Sequence, residues 1–218
     1  MKWLRNSLLL LAGLVMAISL LAAHYYFKGF GRRTADHHAP SASPRELSAA
    51  TSGRIVQKAR ALRSFAIAHG YSARIAFLAD MRLPSGKNRF FVVDLEKDSV
   101  LMMGLVAHGC GDKAFSLDPV FSNVNGSNCT ALGKYRISRP YRGQFGLAYK
   151  LYGLEPTNDQ AFSRNIVLHA YGYVPEWETD PYPICNSRGC PMVAPGFLSR
   201  LQPLIDRSPR PILLWILD

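Results

Sequence analysis

The chain has 218 residues, 48% of them hydrophobic and only 19% charged, which supplies a packed core and excludes general disorder. Its net charge of +11 is nowhere interleaved with aromatics in the manner of a nucleic-acid groove, so no nucleic-acid partner is expected. The basic balance suits anionic polymers or lipid headgroups, or simply keeps the protein soluble.

Lys2 and Arg5 precede a run from Asn6 to Phe27 whose only basic or acidic residue is His24. About 20 apolar residues span a bilayer as a helix, and Tyr25, Tyr26 and Phe27 fit an interfacial belt. Residues 1–30 are therefore read as an anchor in the inner membrane, or as a signal segment cleaved near Leu21-Ala22-Ala23. Either reading puts the body of the protein on the outer side of that membrane. Residues 31–44 are rich in Arg, His, Ala, Pro and Ser, which is linker chemistry, and residues 45–218 form the domain.

Leu47, Ala50, Ile55, Ala59, Leu62 and Ala66 recur at roughly helical spacing and predict a helix over 45–69, capped by Ser43 or Ser48 and stopped by Gly70. Short β-type runs follow at 75–78, 90–95, 100–106, 135–137, 147–152, 166–168 and 212–217, with a second helix at 197–205. Gly and Pro punctuate them. The fold class is mainly β, an antiparallel sandwich or barrel with one helix before it and one near its end.

No internal repeat, GxGxxG or P-loop pattern occurs. The spacings of Cys110, Cys129, Cys185 and Cys190 match no zinc framework, so no cofactor and no metal is expected. A CxxC pair, which thiol–disulfide exchange requires, is absent as well. Asp80, Asp94 and Glu155 form no close carboxylate pair in sequence.

Two segments carry chemistry. Asn165-Ile166-Val167-Leu168-His169 is an apolar strand that ends on a histidine, and Ser187-Arg188-Gly189-Cys190-Pro191 is a turn that ends on a cysteine. A thiol with pKa near 8.5 is mostly inert at neutral pH, and an imidazole with pKa near 6.5 can take its proton and return it. Gly189 permits a tight turn, its amide and that of Cys190 are candidate oxyanion donors, and Arg188 adds positive charge. His108-Gly109-Cys110 imitates the second segment but has no suitably placed upstream histidine. Cys129 reads as buried. Cys185, five residues before Cys190, is a candidate disulfide partner that would silence the thiol.

The pattern His-x17-Ser-x-Gly-Cys resembles the signature of L,D-transpeptidases of the YkuD type. Ordered matches add to it: Pro84-Ser85-Gly86-Lys87-Asn88-Arg89-Phe90, Val106-Ala107-His108-Gly109, Phe121-Ser122-Asn123, Leu132-Gly133-Lys134-Tyr135, Gly153-Leu154-Glu155 and Arg164-x4-His169. The resemblance runs from about Arg74 to the C-terminus. It is similar to a subfamily with Gly-Cys-Pro at the nucleophile, although better-known members carry a histidine where Arg188 stands. Pro191 removes one backbone donor.

The resemblance implies a cysteine acyltransferase of the bacterial envelope, on the periplasmic side, acting on peptidoglycan tetrapeptide stems. Cys190 would form a thioester and expel D-Ala, and a second stem's amine would resolve it to a 3–3 cross-link. His169 would be the base, Ser187 and Gly189 would shape the nucleophile loop, and Arg188, Arg164 and His108 would contact substrate. The alternatives are an L,D-carboxypeptidase or amidase on the same stems, and a catalytically silent murein-binding module.

Overall fold

The computed structural model describes Met16 and residues 47–218, which belong, Met16 apart, to a single compact unit. The anchor or signal segment, Met16 apart, and the whole of the linker lie outside the described residues. Among the described residues no helix is long and apolar enough to cross a membrane.

Helix α1 is Ala49–His69. Ser48, in extended conformation, accepts the Thr51 amide, which satisfies one of the donors a helix start leaves open. Gly70 closes the helix at φ 76, a left-handed conformation that costs glycine nothing, and its amide bonds Ala66. Thr51, Ile55, Ala59, Leu62 and Ala66 form the buried stripe. Burying Ile55 and Leu62 contributes about 1.5–3 kcal/mol each.

Among the described residues nine strands make one sheet: β1 Ile75–Asp80, β2 Phe90–Asp94, β3 Ser99–Gly104, β4 Val106–Ala107, β5 Gly133–Gly143, β6 Gly146–Gly153, β7 Val167–Ala170, β8 Met192–Val193 and β9 Leu213–Leu217. Their order is β3-β2-β1-β9-β5-β6-β7-β8-β4. The two ends of that order, β3 and β4, are consecutive pieces of one segment with only Leu105 between them, so the sheet closes on itself through the chain. This is why the single predicted strand 100–106 is split in two. Its halves hydrogen-bond to opposite ends of the sheet, β3 to β2 and β4 to β8.

The predicted antiparallel architecture needs a correction in two places, since β1–β9 and β7–β8 run parallel. Each parallel pair joins strands far apart in sequence, and pattern alone cannot read that. β5 is also longer than the predicted 135–137. Its outer half, Ser138–Gly143, has no apolar alternation and is held by pairing with β6 past a bulge between Ile137 and Pro140.

The sheet is apolar on both faces at β1. Phe77 and Ala79 point into the barrel core with Phe90, Tyr135, Tyr149 and Leu168, while Ala76 and Leu78 pack under α1 with Phe91 and Leu213. Helix α2, Pro195–Asp206, starts directly after β8 and buries Phe197, Leu198, Leu201 and Ile205 in the barrel core. Phe197 meets Phe90 edge to face at 5.5 Å.

Candidate active site

β6, β7 and β8 are adjacent in the sheet, and alternation gives each two faces. Ile166 and Leu168 enter the barrel core. Val167 and His169 therefore point to the outer face, opposite Lys150 and Ala148 of β6. On the other side of β7, His169 is in register with Met192, so Cys190 lies two residues back along the line of β8. The offset is about 6.6 Å along the strands and one strand spacing across.

The Cys190 thiol receives the Val167 amide at 3.5 Å and faces the Asn165 carbonyl at 3.9 Å. Asn165 presents that carbonyl from a left-handed conformation, φ 57. Burial pushes the Cys190 pKa up, opposed by the Val167 amide and by the positive charges of Arg164 and Lys150. Arg188, which the sequence suggests as the favourable charge, is exposed and takes no part in this balance.

The His169 Nδ1 lies 2.9 Å from the Ala170 carbonyl. A carbonyl only accepts, so Nδ1 carries the proton and Nε2 is left with its lone pair. Burial lowers the His169 pKa, opposed by that hydrogen bond. A raised thiol and a lowered imidazole give a neutral pair at rest, in which the imidazole can accept the thiol proton as the thiol attacks. Phe145, at the tip of the β5–β6 hairpin, stacks on the ring with centroids 4.3 Å apart.

The loop before the thiol is fixed by backbone pairing. The Ser187 amide donates to the His108 carbonyl at 2.8 Å, and the Cys110 amide donates to the Ser187 carbonyl at 2.9 Å. The Ser187 hydroxyl accepts the Gly189 amide at 3.1 Å. That use removes the Gly189 amide from the candidate oxyanion donors, and Pro191 has none. The loop's remaining donor beside the thiol is the amide of Cys190 itself. Gly189 is at φ 105, where a Cβ would sit 2.7 Å from the Cys129 carbonyl.

Arg164 ties down the neighbouring 122–129 segment, whose Cys129 carbonyl lies against Gly189. Its guanidinium donates to the carbonyls of Ser122 at 2.9 Å and Cys129 at 2.7 Å, and to the Ser127 hydroxyl at 3.3 Å. His108 is fully buried, so it supports the loop instead of facing open space. Its Nδ1 accepts from Arg89 at 2.8 Å, and the Asn186 amide lies 3.2 Å from Nε2. Burial and the Arg89 charge bring its pKa down to about 4, which keeps it neutral. Asn186 in turn bonds both the amide and the carbonyl of Ser116.

All four cysteines are free, the candidate pair Cys185 and Cys190 among them. Cys129 is buried, and Cys110 sits beside Ser187 with its thiol 3.6 Å from the Gly111 carbonyl. Among the described residues no group of three His, Cys, Asp or Glu side chains is placed to hold a metal ion.

Of the residues singled out from sequence, Cys190, His169, Ser187, Gly189 and Arg164 gather here. His108 lies behind the loop, and Arg188 points to solvent. Phe145, Lys150, Asn165, Asn186 and Arg89 were missed. Strand alternation through Leu147–Tyr152 places Lys150 on the face away from the core, but only the pairing of β6 with β7 sets it opposite Val167, whose amide reaches the thiol.

A family model described as the L,D-transpeptidase catalytic domain matches residues 49–210. No curated protein matches the chain. Solved structures to which the chain is similar include the helical cell shape determining protein Pgp2 from Campylobacter jejuni, 12% identical with a TM-score of 0.42, covering 65% of this chain and 46% of that one. An L,D-transpeptidase from Mycobacterium smegmatis is 11% identical with a TM-score of 0.40, covering 66% and 59%. Another, from Xylanimonas cellulosilytica, is 14% identical with a TM-score of 0.38, covering 70% and 68%. The chain thus spans about half the length of the Campylobacter protein.

Proposed function

We infer the reaction from one premise: the chain belongs to the L,D-transpeptidase catalytic domain family. We propose that it is a cysteine acyltransferase acting on peptidoglycan tetrapeptide stems in the bacterial envelope, with Cys190 as nucleophile and His169 as base. The observation that supports the assignment of roles is the Nδ1 hydrogen bond of His169 to Ala170, which makes Nε2 the acceptor nitrogen of a histidine one strand across and two residues along from Cys190.

In the first step Sγ attacks the carbonyl carbon of the stem's third residue while Nε2 takes the thiol proton. The carbonyl oxygen gains the charge and is met by the Cys190 amide. Collapse breaks the C–N bond, and Nε2 returns the proton to the departing amine of D-Ala. The thioester remains. A second stem's amine attacks it in the reverse order, yielding a 3–3 cross-link and the free thiol.

Gly189, Ser187 and Arg164 hold the geometry; they do not react. The N-terminal apolar segment would tether or export the domain.

Purified protein is incubated with murein tetrapeptide and the products separated. Cross-linked dimer and free D-Ala are expected, and both vanish in Cys190→Ala. Tripeptide without dimer would make water the acceptor, which is the carboxypeptidase reading. No product from the wild type, with stem binding equal in Cys190→Ala, would make the domain a silent binding module.

A further inference from the structure

The site holds a cation whose charge the proposed chemistry leaves unused. Lys150 of β6 is in register with Val167 of β7, whose amide reaches the Cys190 thiol on the far side. Lys150 and Cys190 thus flank one residue, about 10 Å apart along the sheet at the backbone, or two strand spacings. The lysine stem reduces that gap. Its Nζ is 2.7 Å from the Asn165 side-chain oxygen, and the carbonyl of the same Asn165 faces the thiol at 3.9 Å.

Every partner of that ammonium is neutral: the Asn165 amide and the face of Phe162, 4.6 Å from Nζ to the ring centroid. Lys134, Lys87 and the arginines Arg54, Arg60, Arg82 and Arg200 each have a carboxylate within ion-pair distance. Among the described residues Lys150 has no such carboxylate. An ammonium has three donors, and one is spent on Asn165. Arg164, the other cation acting on the thiol, has both terminal nitrogens committed to Ser122, Ser127 and Cys129.

We propose that Lys150 is the carboxylate anchor of the site: it pairs with the free C-terminal carboxylate of the residue expelled from the stem. The proposal rests on the reading of Cys190 as the nucleophile. With the scissile carbonyl on the thiol, the carboxylate of the next residue is one residue's length away, about 3.5 Å of chain. Of the two cations that act on the thiol, Lys150 keeps unused donors beside solvent, whereas the one nitrogen Arg164 leaves unpaired, Nε, is buried, so the carboxylate is placed on the Lys150 side of β7. Pairing there restricts cleavage to the last bond of a chain. An amide or a further residue at the end removes the charge that Lys150 binds.

The test is the affinity of full-length Cys190→Ala protein for two peptides, a tetrapeptide with a free C-terminus and its C-terminal amide. The free acid is expected to bind about tenfold or more tightly at low salt, as a charge-assisted hydrogen bond warrants. Lys150→Met on the same background brings the ratio to about one, and Lys150→Arg retains a preference for the acid. Equal binding of acid and amide by the protein with Lys150 intact, or a preference that survives Lys150→Met, overturns the proposal. Because the readout is binding, it separates from the reaction. A wild type that forms neither dimer nor tripeptide refutes the reaction, whereas a ratio of one with turnover intact refutes only the anchor.

Discussion

Phe145 lies nearly parallel to the His169 imidazole, with ring centroids 4.3 Å apart and an interplanar angle of 22°. The phenyl ring is itself 46% exposed, so it is the outer cover of a histidine that is 1% exposed. Burial is the first cause of the lowered His169 pKa. If His169 is the base, activity requires its neutral form and is lost as pH falls through that pKa. The acid limb of kcat/KM then lies below the ordinary histidine value of 6.5. Phe145→Ala admits water to the ring, and both the imidazole titration seen by NMR and the acid limb are expected to move up toward 6.5. A titration unchanged by the substitution would show that the stacking does not set the pKa.

Gly189→Ala tests the shape of the nucleophile loop. At φ 105 an L side chain is strained, and the added Cβ meets the Cys129 carbonyl at 2.7 Å. Strain of this kind costs about 1–3 kcal/mol. The variant is expected to unfold at lower temperature in a calorimetric scan and to lose acylation of Cys190. An unaltered melting point with full activity would mean that the loop has room the structure does not contain.

Carbapenem labelling identifies the nucleophile. Family membership leads to the expectation of one covalent adduct per chain by intact mass, absent in Cys190→Ala and retained in Cys110→Ser and Cys185→Ser. An adduct that persists in Cys190→Ala would transfer the role to another thiol.

His108 predicts an acid dependence of stability. Its folded pKa is about 4, below the ordinary 6.5, so between those values the unfolded chain binds a proton that the folded one does not. The stabilising contribution is complete above pH 6.5 and is lost as pH falls toward 4, up to about 3 kcal/mol at the usual 1.36 kcal/mol per unit. Urea midpoints measured across that range are expected to drop, and to drop less steeply in His108→Gln. Equal slopes in the two proteins would remove His108 as the cause.

Much of this protein was legible in its sequence because the decisive signals are local. The stripe from Ile55 to Ala66, the Ser48 cap and the Gly70 stop determined α1, and apolar runs determined most strands to within a few residues. The strand ending in His169 and the turn ending in Cys190 were visible as the two chemistry-bearing segments. The tertiary structure alone decided what depends on pairing between distant strands. Closure of the sheet split 100–106 into β3 and β4, and the parallel pairing of β7 with β8 set His169 beside the line of Cys190. The same closure turned His108 inward against Arg89, turned Arg188 outward, and brought Lys150 and Phe145 to the site from a hairpin whose sequence carries no chemical motif. Side-chain direction alternates every residue along a strand, but which strand lies next to which is fixed by hydrogen bonds that a local pattern does not encode.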